Sequence, residues 1–244
     1  MASNPPAACC TRGFKHEGTA TGEIKKIGDT DAYFAYPSNA SPDKAIIILT
    51  DVMGIYPNAQ FVADDYAARG YLVVMPDLFR GGALTLNQFA SGQVDIMAWL
   101  KDHTPESVDP VTLATIKYVR ETLGIKKIGA AGYCFGAKYV TRFLKEGHID
   151  VGYVAHPSFV SPEELSAITG PYAISAAETD NIFPANLRHQ SEEILAKTGQ
   201  PYQINLFSGV EHGFAVRGDL TNKSVKFAKE QAFVQAVTWF REHL

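Results

Sequence analysis

Cys134 stands at the centre of Gly132-Tyr133-Cys134-Phe135-Gly136, after the apolar run Lys127-Ile128-Gly129-Ala130-Ala131 and before a helix-compatible stretch. Glycines two residues to either side allow a strand to turn sharply into a helix, and such a turn lifts its central side chain clear of the sheet. The pattern is GxSxG with sulfur in place of oxygen, a position suited to a nucleophile. It also frees backbone N–H groups at the helix N-terminus, chiefly that of Phe135, to hold a developing oxyanion. The same pentapeptide suits a small buried hydrophobe, the commonest fate of a free cysteine, so the motif alone leaves both readings open.

A thiol attacks as thiolate, and at a reference pKa of about 8.5 only a few per cent is ionised at neutral pH, so Cys134 needs a base. In doubly wound hydrolases the chain order is nucleophile, acid, histidine, with the last two on loops after later strands. Here Glu178-Thr179-Asp180-Asn181 follows one strand-like run, and Ser208-Gly209-Val210-Glu211-His212-Gly213-Phe214 follows the next. His212 would take the thiol proton and return it to a leaving group, with Asp180 holding the imidazole in the useful tautomer. Glu178 is the rival acid, two residues nearer its strand. His156, in Tyr153-Val154-Ala155-His156-Pro157-Ser158-Phe159, ends a strand too and is either a pocket wall or a structural histidine. His16, His103, His148, His189 and His243 lack any such context.

Positioning three loops on one edge requires a parallel sheet, and from about residue 30 extended and helical segments alternate as such a sheet demands. Strands are expected at Ala32 to Tyr36, Ala45 to Thr50, Tyr71 to Met75, Lys127 to Gly132, Gly152 to His156, Ala173 to Ala177 and Tyr202 to Phe207. Helices fall at Asn58 to Arg69, about Asn87 to Lys101, Pro110 to Leu123, Ala137 to Lys145, Pro184 to Thr198 and from about Asn222. Asp109 suits an N-cap with Pro110 at the first helical position, and Gly124 suits the C-terminal stop. The expected apolar stripe of that helix is Val111, Ala114, Tyr118 and Val119. Val225, Ala228, Ala232, Phe233, Ala236, Val237 and Phe240 give the last helix a core-packing face. The expected architecture is one three-layer α/β domain over residues 1–244, with about 7–8 mostly parallel strands and an N-terminal extension, 1–27. The segment 81–109 fits the alternation least and is either a cap over the site or a plain surface helix.

The bulk numbers narrow the function classes. The 244 residues carry a net charge of −4 and 46% hydrophobic residues, ordinary for a globular protein, with no basic, aromatic-interleaved stripe for nucleic acid. The apolar runs are strand-length, well short of the roughly 20 residues that span a bilayer. The N-terminus lacks a basic start and an apolar h-region, which predicts a cytoplasmic protein. Cys9 and Cys10 are expected as an exposed or lightly packed terminal pair, since neighbouring cysteines rarely bridge and no second cluster at metal-ligand spacing accompanies them. No metal site and no cofactor are expected.

With these motifs assembled, the chain resembles the dienelactone hydrolase family, which carries a cysteine nucleophile on an α/β-hydrolase fold. The matching pieces are Thr50-Asp51-Val52-Met53-Gly54, Pro76-Asp77-Leu78-Phe79-Arg80, Gly132-Tyr133-Cys134-Phe135-Gly136, Asp180-Asn181-Ile182-Phe183-Pro184 and His212-Gly213-Phe214-Ala215, within a resemblance running from about Gly28 to the C-terminus. His156-Pro157-Ser158-Phe159 and the N-terminal part look more like the fungal branch. The resemblance implies a Cys134, Asp180, His212 triad, a thiol-activating carboxylate at Asp51, one methylene shorter than the bacterial Glu, and a second oxyanion donor at Val52. It further implies Arg80 and Arg217 as clamps for a substrate carboxylate. Otherwise Asp51 caps a loop, Arg80 pairs with Asp77, and Arg217 pairs with Asp219.

The expected activity is hydrolysis of a small carboxylate-bearing lactone by a monomer or homodimer. One alternative is a thioesterase or esterase acting on a larger, polyketide-derived substrate. Another, from a different class, is a non-catalytic small-molecule binder or redox sensor using Cys134 as reporter.

Overall fold

The computed structural model describes residues 1–11, 13–38, 42–91 and 94–244. Among these described residues eight strands form one sheet: β1 Glu23–Ile27, β2 Thr30–Ala35, β3 Lys44–Leu49, β4 Leu72–Pro76, β5 Lys127–Tyr133, β6 Val151–Ala155, β7 Tyr172–Thr179 and β8 Tyr202–Glu211. Their spatial order is β1-β2-β4-β3-β5-β6-β7-β8, antiparallel through β1, β2 and β4 and parallel from β4 to β8. The helices are α1 Pro57–Ala67, α2 Leu86–Ala90, α3 Ile96–Asp102, α4 Pro105–Lys117, α5 Gly136–Phe143, α6 Pro162–Ser166, α7 Ala185–Thr198, α8 Phe214–Arg217 and α9 Lys223–His243. Among the described residues no helix is long and apolar enough to cross a membrane.

The near-continuous apolar strands are explained by burial on both faces. Along β3, Ile46 and Ile48 point into one core with Ala63 and Tyr66 of α1 and Ala232 and Phe240 of α9, while Ile47 and Leu49 point into the other with Val140 of α5 and Val111 of α4. Period-two alternation therefore feeds two hydrophobic layers, giving an α/β-hydrolase-type, three-layer arrangement.

Several local expectations are corrected. β1 was absent from the expected strands: Glu23, Lys25 and Lys26 are exposed on the sheet edge, so no apolar alternation marks it. It pairs with β2 across a tight turn in which Gly28 takes φ +63°. The helix expected at Pro110 starts at Pro105, with Thr104 as the extended residue before it. Pro110 lies inside that helix, and Asp109 caps nothing; its carboxylate receives Arg142 Nη2 at 2.7 Å and Nε at 2.9 Å. The helix buries Val108, Val111, Thr112, Thr115 and Ile116, whereas Ala114 is exposed. A π-turn at Tyr118–Thr122 follows, and Gly124 takes the left-handed φ of +70° expected of it. The last helix follows its expected face, capped by Asn222, whose Oδ1 accepts from the Ser224 N–H at 3.0 Å.

Candidate active site

β5 ends at Tyr133, and α5 begins at Gly136, leaving two residues to reverse the chain. Cys134 takes φ +51°, a left-handed conformation that costs a non-glycine residue about 1–3 kcal/mol. Contacts on both sides hold it: its N–H donates to Ala155 O at 3.2 Å, and its carbonyl accepts from Ser158 N–H and Ala137 N–H, both at 3.1 Å. The flanking glycines serve close approach. A Cβ at Gly136 would lie 2.0 Å from Leu49 O, and one at Gly132 would lie 2.8 Å from Ala137 Cα.

Asp180 and His212 leave the same edge, after β7 and β8. The His212 Nδ1–H donates to Asp180 Oδ2 at 2.8 Å, both side chains being fully buried. Asp180 Oδ1 is held by the Ile182 and Phe183 N–H groups at 2.8 and 3.1 Å, which fixes the carboxylate from behind. The rival Glu178 is exposed, and its Oε2 accepts from Gly209 N–H at 2.7 Å. His212 Nε2 and Cys134 Sγ lie within 4.8 Å of each other.

The third member of that cluster is Cys10. Contrary to the expected loose terminal pair, Cys10 is fully buried, with its Sγ 3.3 Å from Cys134 Sγ and 3.5 Å from His212 Nε2. A 3-10 turn, Ala8–Thr11, carries it there. Before that turn, the Ala2 and Ser3 N–H groups donate to Val160 O at 2.9 and 3.0 Å, and the Asn4 N–H donates to Ile182 O at 2.7 Å. After it, the Phe14 N–H donates to Arg217 O at 3.0 Å. Nothing in the Ala8-Cys9-Cys10-Thr11 sequence marks this contact, because the docking partners lie more than a hundred residues away. Ser158, with its Oγ 3.7 Å from Cys134 Sγ, is likewise a neighbour that spacing did not point to.

The electrostatics favour a thiolate facing an imidazolium. Burial pushes the Cys134 thiol up, but hydrogen bonding from Cys10, the charge of His212 and that of Arg217 outweigh it, leaving the group well below its usual value. Burial pushes His212 down, yet the Cys134 charge and the Asp180 hydrogen bond raise it to about 10. Cys10, buried and donating to its neighbour, is pushed well above the usual thiol range.

Asp51 and Arg217 form a fully buried ion pair through Asp51 Oδ2 and Arg217 Nη1. Asp51 also accepts from Met53 N–H at 2.9 Å and from the Tyr56 hydroxyl at 3.1 Å. Burial raises the Asp51 carboxyl while Arg217 pulls it back. Arg217 therefore does not pair with Asp219. Gly213, at φ +93°, makes room for it, since a Cβ there would sit 2.8 Å from Arg217 Nη2. The Arg80 side chain is half exposed on the surface and pairs with the Asp29 carboxylate at 2.9 Å, not with that of Asp77. His156 is fully buried at φ +39°, its ring 4.9 Å from that of His212, and burial pushes it well below the usual imidazole value. Among the described residues neither of its ring nitrogens has a hydrogen-bond partner. Among the described residues, the Val52 and Phe135 N–H groups donate to no protein acceptor.

Relatives place this arrangement in context. The family model of the dienelactone hydrolases matches residues 30–244. A hydrolase named pyvD from Aspergillus violaceofuscus is 51% identical over 245 residues, covering 100% of this chain and 99% of its own length. The Talaromyces stipitatus hydrolase tropI is 49% identical over 253 residues, covering 100% and 99%. A structure assigned as a dienelactone hydrolase of Klebsiella pneumoniae superposes with TM-score 0.74 at 16% identity, covering 91% of this chain and 98% of the other, a likeness of fold. With hydrolytic relatives matched along its whole length, this chain belongs to the dienelactone hydrolase family and is a carboxylic ester hydrolase.

Proposed function

We propose that the chain hydrolyses its ester or lactone through a Cys134, His212, Asp180 triad. The observation that carries this reading is the strained, buried Cys134 with the Asp180-held His212 beside it. The Cys134 thiolate attacks the carbonyl carbon, and the oxyanion is held by the Val52 and Phe135 N–H groups. His212 gives its Nε2 proton to the leaving alkoxide as the tetrahedral adduct collapses to a thioester. A water then loses a proton to His212, attacks the thioester carbonyl, and releases the acid and the Cys134 thiolate. Asp51 supports the site indirectly by holding Arg217, whose positive charge favours the thiolate.

A larger substrate than a dienelactone is favoured by two observations. Arg80 is bonded to Asp29 at the surface, so a two-arginine carboxylate clamp lacks one member. Beside Met53 lies a cavity of about 500 Å³ lined by Ile55, Tyr56, Ala83, Leu84 and Leu86, with Lys15 among its walls. We infer that 81–109 acts as a partial cap, since Leu84 and Leu86 line this cavity and the Trp99 ring packs 5.8 Å from that of Phe135. His156 would serve as a pocket wall behind His212.

Rates for Cys134→Ser, His212→Ala and the parent over a panel of dienelactones, aryl esters and bulky apolar thioesters test both parts. Loss of all hydrolysis in both variants with the fold retained by circular dichroism is expected. Full turnover in either variant would overturn the triad, and turnover of dienelactones alone would overturn the larger substrate.

A further inference from the structure

We propose that Cys10, Cys134 and His212 form a reversible, inhibitory binding site for a thiophilic metal ion of the zinc class. Cys10 makes and breaks no bond in the hydrolytic scheme beyond its contact with Cys134, yet it is fully buried with its sulfur against both reacting groups. Three donors on two sulfurs and one imidazole nitrogen are the set zinc prefers. Zinc–sulfur and zinc–nitrogen bonds at tetrahedral angles place two sulfurs about 3.8 Å apart and a sulfur and a nitrogen about 3.6 Å apart. The observed 3.3 Å between the sulfurs and 3.5 Å from Cys10 Sγ to Nε2 are within half an ångström of those edges, and the third edge, Cys134 Sγ to Nε2, lies within 4.8 Å and would close on an ion.

The surroundings suit a metal as well. Ligating histidines usually donate their other ring N–H to a carboxylate, which fixes the tautomer and raises ligand basicity. The His212 Nδ1–H donates to Asp180 in that way, leaving Nε2 as the coordinating atom. A cavity of about 250 Å³ lined by Phe14, His212 and Gly213 borders the imidazole side of the cluster. Coordination takes both sulfurs as thiolates and Nε2 unprotonated, so the protons these atoms carry pass to solvent as the ion binds. Three metal–ligand bonds form, and no electron is transferred. A bound ion occupies the sulfur lone pair that attacks and the nitrogen that shuttles protons, so hydrolysis stops. Only that inhibitory consequence rests on the triad reading.

The test uses the full chain, reduced and metal-free. Zinc uptake is measured by competition with a chromophoric chelator, Co²⁺ uptake by its thiolate charge-transfer absorption, and residual hydrolysis of an aryl ester alongside. One equivalent of zinc is expected, together with inhibition that a chelator reverses. In Cys10→Ala, and in the closer-sized Cys10→Ser should the alanine variant misfold, zinc binding should weaken by at least about tenfold, with inhibition shifting equally relative to each variant's own metal-free rate. The absence of stoichiometric uptake, or equal affinity in folded Cys10 variants, would overturn the proposal. Dependence of metal-free hydrolysis on Cys134 and His212 is a separate readout, so failure of the metal site and failure of the triad are told apart.

Discussion

Replacing Arg217 with Met tests whether that residue stabilises the fold or only meets substrate. Its guanidinium is buried against the Asp51 carboxylate, both side chains about 1% exposed, and Met keeps most of the aliphatic stem. The change would leave Asp51 with only the Met53 N–H and the Tyr56 hydroxyl as partners. Breaking a buried pair by removing one partner costs about 3–5 kcal/mol, because the other charge stays buried without compensation. At about 2–4 °C per kcal/mol for a domain of this size, Tm should fall by about 6–20 °C. The pH dependence carries the distinctive sign. Burial already lifts the Asp51 carboxyl above 3.8, and losing Arg217 lifts it further. A group whose folded pKa is raised contributes stability that is present below its unfolded pKa and lost as pH rises. The penalty in Arg217→Met should therefore be small near about pH 4, where Asp51 binds a proton, and full at neutral pH. Thermal unfolding of parent and variant across that range is the assay, with Asp51→Asn/Arg217→Met as the double change expected to cost less than the sum. Equal Tm at neutral pH, or a penalty independent of pH, would refute the reasoning.

The remaining predictions concern the triad and its scaffold. Asp180→Asn should lower kcat by about 10⁴ with the fold intact, since the amide cannot hold the same imidazole tautomer, whereas Glu178→Gln should stay within a few-fold; comparable rates for the two would reassign the acid. The pH profile of kcat/KM should hold level through the ordinary thiol range and decline only above about 10, where His212 loses its proton; a rising limb at the usual thiol value would contradict a thiolate–imidazolium pair. Stability should follow the same group: the His212 contribution is full below 6.5 and is lost as pH rises through about 10, which unfolding at alkaline pH will register. Gly136→Ala should destabilise by more than the ~1 kcal/mol typical of point changes, because its Cβ would meet Leu49 O at 2.0 Å, and chemical denaturation measures the loss.

The parts of this molecule that were readable from sequence are those with a local or periodic cause. Ile46-Ile47-Ile48-Leu49 announced a strand buried on both faces, and the glycines around Cys134 announced an elbow, because sterics act within a few residues. Chain order gave His212 and Asp180 as candidates, since each follows a strand on the edge that carries Cys134. Tertiary partners were not readable. Asp109-Pro110 looked like a helix start, but Arg142 takes the Asp109 carboxylate and Thr104-Pro105 starts the helix earlier. Arg217 was expected near Asp219 or a substrate, yet α8 turns it inward to Asp51. Cys10 was hidden most completely, because its burial depends on residues 134 and 212 together.

The docking of residues 1–11 also bears on how the molecule is made. Cys10 is separated from Cys134 by 124 positions and from His212 by 202. Contacts of such separation pay their loop-closure entropy late, and a chain emerging N-terminus first has nothing for this segment to dock on until β5, β7 and β8 exist. Residues 1–11, made before the strands they dock on, are thus among the last to find their place. Cys134 acquires Cys10 as its neighbour only in the closing step of folding.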